Sequence, residues 1–79
     1  MTEKIKERLL DCSSGDFVEI IEIHLEGQDI IRLAGLGMVD GAAMRVMKNN
    51  GRGPIIIRVK QTRLALGHHE AKGIFVKAI

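Results

Sequence analysis

The sequence has little aromatic content and a single cysteine. Its 79 residues include two phenylalanines, no tryptophan and no tyrosine. Proteins that bind nucleic acid usually combine a basic stripe with aromatic side chains that stack on bases, so two phenylalanines and a net charge of +2 argue against a nucleic-acid partner. Because Cys12 cannot form an internal disulfide, a reducing cytoplasm fits best.

Long apolar runs are also missing. No segment approaches the roughly 18 apolar residues that a membrane span needs, and the N-terminus alternates charges where a signal peptide would be apolar. We therefore expect a soluble, cytoplasmic protein without membrane insertion. A chain this short has room for one core, so residues 1–79 are expected to form a single domain.

Alternating apolar residues and glycine turns predict about five short strands, over residues 17–25, 42–48, 54–60, 61–66 and 74–79. The alternation slips between Ile20 and Ile21, which predicts a β-bulge. The inward-facing residues are expected to include Met44, Val46, Ile55, Ile57, Val59, Ile74 and Val76.

Helical spacing appears in three places. Residues 28–36 are predicted to form a two-turn helix that ends at Gly37 in a left-handed conformation, with Met38 folding back on Leu33. Residues 68–72 are predicted to form a helical turn. A helix is also predicted over residues 3–10, capped by Thr2. Together these elements are typical of a mainly β, small closed or nearly closed barrel with one short helix between its first two strands.

The order of several short motifs resembles the ferrous iron transport protein A (FeoA) family. Arg32-Leu33, Leu36-Gly37-Met38 and Gly41 are similar to the family's Arg-Leu, Leu-Gly-Met and following Gly. Downstream, Pro54-Ile55-Ile56-Ile57 resembles the family's Pro-led apolar strand, and Leu64-Ala65-Leu66 resembles its Ala-Leu step. Ala71 with Ile74 and Val76 resembles the family's closing Ala-x-x-Ile-x-Val. The resemblance covers residues 9–78 and leaves residues 1–8 as a modest N-terminal extension.

The resemblance implies an SH3-like barrel that also occurs at the C-terminus of iron- and manganese-dependent repressors. It implies a bacterial or archaeal, non-enzymatic, cytoplasmic accessory protein of ferrous iron uptake. Such a protein would bind and modulate the membrane G-protein transporter called ferrous iron transport protein B. The alternative is a stand-alone regulatory domain that senses a divalent transition metal such as iron(II).

The candidate metal ligands are His68, His69 and Glu70, since imidazole and carboxylate bind iron(II), zinc and manganese. The signal is weak, because adjacent side chains on a helical turn point about 100° apart. No nucleophile with a nearby base is apparent, and Cys12 lacks a basic neighbour that would activate it, so we predict no catalytic residue and no required cofactor.

The candidate partner-binding residues are apolar side chains that the strand phases place outward, Met47, Ile56 and Phe75, together with Arg52 in the loop of residues 49–53. The same pattern predicts that Ile31 and Ile79 also face outward. An exposed apolar patch indicates a docking face for a partner or a second copy, with a monomer favoured. The equal alternative is that an N-terminal helix covers the patch with Ile5, Leu9 and Leu10.

Overall fold

The described part of the chain folds into six strands and two α-helices. The computed structural model describes residues 6–79. Its strands are β1 (Glu7–Arg8), β2 (Phe17–Ile23), β3 (Ala43–Lys48), β4 (Ile55–Val59), β5 (Thr62–Leu66) and β6 (Ile74–Ala78). The helices are α1 (Gln28–Gly35) and α2 (His68–Lys72), and a 3-10 turn covers Leu9–Asp11. The mainly β class and the positions of five strands and two helices are confirmed.

All six strands belong to one antiparallel sheet in the order β1-β6-β2-β3-β4-β5. The ladder therefore ends at β1 and β5, and within residues 6–79 no strand pairing joins these two edges. Of the two forms that the sequence predicted, a closed or a nearly closed barrel, the sheet is not the closed one. The edge strand β1 has only two residues, which limits how much backbone it offers for pairing.

The N-terminal helix is the main error of the sequence prediction. Glu7 and Arg8 pair with Val76 and Phe75 of β6 as a strand. The apolar spacing that predicted a helix is a weak signal over so few residues, and the hydrogen bonds that this segment forms with a distant strand outweigh it. Thr2 and Ile5, on which part of the prediction rested, lie outside the described residues.

The predicted β-bulge in β2 is confirmed. Ile20 pairs with Val76 and Glu22 pairs with Phe75, so the pairing passes over Ile21. A second bulge, which the sequence pattern did not predict, lies in β3, where the pairing passes over Met47. Each bulge changes which face of the sheet the following residues occupy.

Helix α1 ends as predicted. Gly37 has a φ of +93°, its N–H donates to the Ala34 carbonyl at 3.1 Å, and the Met38 N–H donates to the Leu33 carbonyl at 3.0 Å. These two bonds form a Schellman motif, which satisfies carbonyls left open at the helix end. Leu33 and Met38 are both buried, so the motif also attaches the helix to the core.

The core is aliphatic and contains no buried polar or charged residue within the described part of the chain. The seven residues expected to face inward on β3, β4 and β6 are all buried. Leu9 is buried as well, and Leu10 packs against the core from its edge. Because the 3-10 turn inserts Leu9 there, the N-terminal segment contributes to the core itself.

Candidate functional site

A cleft of about 800 Å³ lies between the β2–α1 connection and the α2–β6 corner. It contains both apolar and titratable side chains, and its lining residues are His24, Leu25, Glu26, Asp29, His69, Lys72, Gly73 and Phe75. Concave surfaces with a few convergent polar groups are the usual places for small ligands or partner side chains. Two further pockets in the described part of the chain are smaller, at about 410 and 290 Å³.

One wall of the cleft is held by a polar and aromatic network. The His24 ring lies 4.8 Å from the Phe75 ring, and His24 Nε2 lies 2.7 Å from Glu22 Oε1. Lys6 Nζ donates to Glu22 Oε2 at 3.2 Å and lies 5.0 Å from the Phe75 ring centroid. The hydrogen bond from His24, and then the one from Lys6, lowers the pKa of Glu22, so the carboxylate stays charged.

Glycine at position 73 allows the cleft floor to form. The His24 N–H donates to the Gly73 carbonyl at 2.6 Å, which joins β2's end to the α2–β6 corner. A Cβ at position 73 would lie 2.9 Å from the His24 carbonyl oxygen and 2.7 Å from Leu25 Cδ2. Since the first of these atoms is backbone, no other residue fits without moving the chain.

The three predicted metal ligands do not converge on one point. His68 Nε2 lies 3.0 Å from the Gly53 carbonyl oxygen, while the Glu70 carboxylate pairs with Arg32 and accepts the Gly67 N–H. His69 instead lines the cleft, as His24 does. The helical geometry of α2 thus sends these side chains to different neighbours, and metal binding by them stays a prediction.

A different group of potential ligands appears near β1. Single ligand atoms of Glu7, Cys12 and Asp16 lie within 4.8 Å of one another, and this is the only such group among the described residues. Cys12 is buried and its thiol donates to the Arg8 carbonyl at 3.6 Å. Burial, and then the charge of Glu7, raises the pKa of Cys12 to about 12. The sequence could not predict this group, because the fold alone brings residues 7, 12 and 16 together.

The predicted docking residues fall on two separate surfaces. Phe75 lies in the cleft, whereas Met47 and Ile56 lie on β3 and β4, with β2 between them and β6 in the sheet. All three are half-buried, and Arg52 is exposed in its loop. Ile31 and Ile79 are exposed by 66% and 60%. The use of these residues in partner binding stays a prediction.

A row of arginines, which was not predicted from the sequence, lies on the outer face of the sheet. The row crosses three strands: Arg58 on β4 lies directly opposite Arg45 on β3 and directly opposite Arg63 on β5. A signal for this row was present in the sequence, because residues 41–69 contain six Lys and Arg residues and no Asp or Glu. The small net charge of the whole chain had concealed this separation of charge.

Neither helix within residues 6–79 is long and apolar enough to cross a membrane.

Comparisons with known proteins place this geometry in context. A family model described as the FeoA domain matches residues 7–78. A crystal structure described as iron uptake regulatory protein (FeoA) is 29% identical, with a TM-score of 0.84, over 95% of this chain and 100% of that chain. The FeoA of Stenotrophomonas maltophilia in complex with zinc, described as a procaryotic SH3 domain protein, is 29% identical with a TM-score of 0.75, over 89% and 88% of the two chains.

A manganese-dependent transcriptional repressor is similar in fold alone, at 21% identity and a TM-score of 0.84. The match spans this whole chain and 45% of the repressor. The comparison with curated proteins gave no match. These likenesses confirm the SH3-like fold that the sequence motifs implied.

Proposed function

This chain belongs to the FeoA domain family, and on that premise we propose that it is a cytoplasmic, non-enzymatic accessory protein of ferrous iron uptake. Family membership implies involvement in ferrous iron transport. The proposed partner is the membrane G-protein transporter, ferrous iron transport protein B, whose activity this chain would modulate by binding. The observation that carries the proposal is the family match over residues 7–78, which includes every described strand and helix.

The chemistry of the described residues is consistent with a binding role. The thiol of Cys12 is buried and has a raised pKa of about 12, so it is protonated at neutral pH and a poor nucleophile. The cleft around His24 and Phe75 and the outer face of β3 and β4 are the two surfaces that could receive a partner.

The test is a two-dimensional amide NMR titration of the labelled chain with the soluble G-domain of the cognate transporter. We expect saturable shifts that cluster on one of the two surfaces. Phe75→Ala in the cleft and Ile56→Ala on β4 serve as controls for each other, because only the variant on the contact surface should weaken binding. Absence of saturable shifts at G-domain concentrations well above those of the labelled chain would contradict direct binding.

Metal sensing is the second candidate function. It is supported by the zinc held by the Stenotrophomonas maltophilia relative and by the proximity of Glu7, Cys12 and Asp16 in this chain. Carboxylate and thiolate groups both bind divalent transition metals, although a metal would have to displace the Cys12 proton. A metal role would require no contact with a transporter.

The two sets of candidate ligands can be separated with manganese(II), which broadens the signals of nearby amides. Saturable broadening around residues 7–16 that is lost in Cys12→Ala would support a site there. Broadening confined to residues 68–70 that is lost when His68 and His69 become Ala would support the site predicted from the sequence. Weak broadening that does not saturate would argue against both.

A further inference from the structure

The outer face of the sheet carries three arginines in one cross-strand row. Arg45 on β3 is the direct cross-strand partner of Arg58 on β4, and Arg58 is in turn the direct cross-strand partner of Arg63 on β5. All three side chains are exposed. At the β2 end of the row, Phe17 pairs with Arg45, whose guanidinium lies 5.0 Å from the Phe17 ring centroid.

No acidic side chain among the described residues forms an ion pair with this row. Residues 41–69 hold six of the twelve basic residues and none of the ten acidic ones. Directly opposed like charges destabilise a sheet, so the row has an energetic cost that no carboxylate in the described part of the chain offsets.

A short apolar row runs beside the arginines. Ile56 pairs with Ala65, and these residues lie two positions along β4 and β5 from Arg58 and Arg63, on the same side of the sheet. Met47, at the bulge of β3, lies next to Ile56's partner Lys48. The basic row and the apolar row are therefore about 7 Å apart, as two residues of a strand are.

We propose that this face is a docking surface for an acidic amphipathic helix of a partner protein. On a helix, residues three or four apart have Cβ atoms about 5–6 Å apart, which is close to the 4.5–5.5 Å between directly opposed residues on neighbouring strands. Carboxylates one turn apart would thus meet Arg45, Arg58 and Arg63 in succession. Apolar side chains on the adjacent stripe of the helix would lie over Ile56 and Ala65.

Arginine suits this role because its guanidinium forms two parallel hydrogen bonds with a carboxylate. A single-stranded nucleic acid fits less well, since the face offers one aromatic ring, Phe17, and that ring is already covered by Arg45. An anionic membrane would attract charge in general, but it would not use a row with helical spacing. The inference rests on the proposed function in that it takes the partner to be a protein.

The first test uses a synthetic helical peptide as the probe. Its glutamates occupy every fourth position and its leucines form the neighbouring stripe, and a matched peptide has Gln in place of Glu. We expect the glutamate peptide to give saturable amide shifts on β3, β4 and β5, and the Gln peptide to bind at least about tenfold more weakly, because each exposed ion pair contributes up to about fivefold.

Paired variants of the full chain locate the contact. Arg58→Gln with Arg63→Gln removes two charges from the row, and we expect peptide affinity to fall about tenfold. Arg8→Gln with Lys77→Gln removes the same total charge from β1 and β6, and we expect a change of no more than about twofold. Dispersed amide spectra of both double variants would show that each is folded. Equal losses in the two variants would mean attraction by net charge and would overturn the proposal.

Other probes decide between classes of partner. If a single-stranded oligonucleotide, or vesicles containing phosphatidylserine, bind the arginine row more tightly than the glutamate peptide does, the acidic-helix proposal is wrong. It is also wrong if the peptide shifts only the amides of the cleft. The same variants are then titrated with the transporter's G-domain. If the G-domain binds wild type and Arg58→Gln/Arg63→Gln equally, the docking inference fails while the proposed function stands. If only the peptide binds the row, the inference stands and the proposed transporter contact fails.

Discussion

Replacing Arg58 by Gln should make the protein more stable. Arg58 is the middle of the arginine row and faces a like charge on both sides, Arg45 on β3 and Arg63 on β5. Two unit charges about 6 Å apart repel by roughly 0.7 kcal/mol in water, and cross-strand pairs typically contribute about 0.2–1 kcal/mol. The change also removes an exposed hydrogen bond of 3.3 Å from Arg58 Nε to the Lys60 carbonyl. The net gain should be about 0.5–1 kcal/mol.

Thermal unfolding followed by circular dichroism measures this gain. For a domain of this size, 1 kcal/mol shifts the melting temperature by about 4–8 °C, so we expect an increase of roughly 4 °C at low ionic strength. In about 1 M NaCl the Debye length falls to about 3 Å, and most of the increase should disappear. Arg32→Gln is the control, because Arg32 pairs with Glu70 and its removal should lower the melting temperature slightly.

Two results would refute this reasoning. If Arg58→Gln melts at or below the wild-type temperature at low salt, the arginines do not repel one another enough to matter. If the gain is the same at low and high salt, it comes from packing or strand propensity and the electrostatic explanation is wrong.

The remaining predictions concern glycines and the cysteine. Gly37→Ala should lower the free energy of unfolding in urea by about 1–2 kcal/mol, because the φ of Gly37 is +93°. Gly35→Ala, at the last residue of α1, should raise it by about 0.5–1 kcal/mol, because the new Cβ meets no neighbouring atom within 4 Å. Equal effects of the two substitutions would contradict the Schellman motif. Gly73→Ala should cost more than Gly37→Ala, because its Cβ meets the His24 carbonyl at 2.9 Å, and amide shifts around the cleft would report the displacement. Cys12 should react with a thiol reagent at pH 8 far more slowly in the native protein than in denaturant. Fast labelling of the native protein would contradict a buried thiol. Because the pKa of Cys12 is raised from 9.0 to about 12, the stability that the thiol contributes is present below pH 9 and is lost as the pH rises toward 12.

The candidate sites show where sequence reasoning reached its limit. His68, His69 and Glu70 are adjacent in sequence, yet α2 directs them to Gly53, the cleft and Arg32. The cleft has the opposite property, because its lining residues, such as His24 and Phe75, are far apart in sequence and are brought together by the pairing of β2 with β6. The separation of basic from acidic residues along the chain is visible in the sequence but was not recognised, and it does not by itself identify the residues of the charged face.

Local patterns determined most of the strands, the bulge at Ile21 and the end of α1 at Gly37. Those features depend on side-chain alternation and on the left-handed backbone that glycine permits, and both are properties of neighbouring residues. The tertiary structure decided the strand at Glu7, the opposition of Arg45, Arg58 and Arg63, and the meeting of Glu7 with Cys12 and Asp16. The physical reason is that register and long-range pairing are set by burying the whole core at once, which no short stretch of sequence specifies by itself.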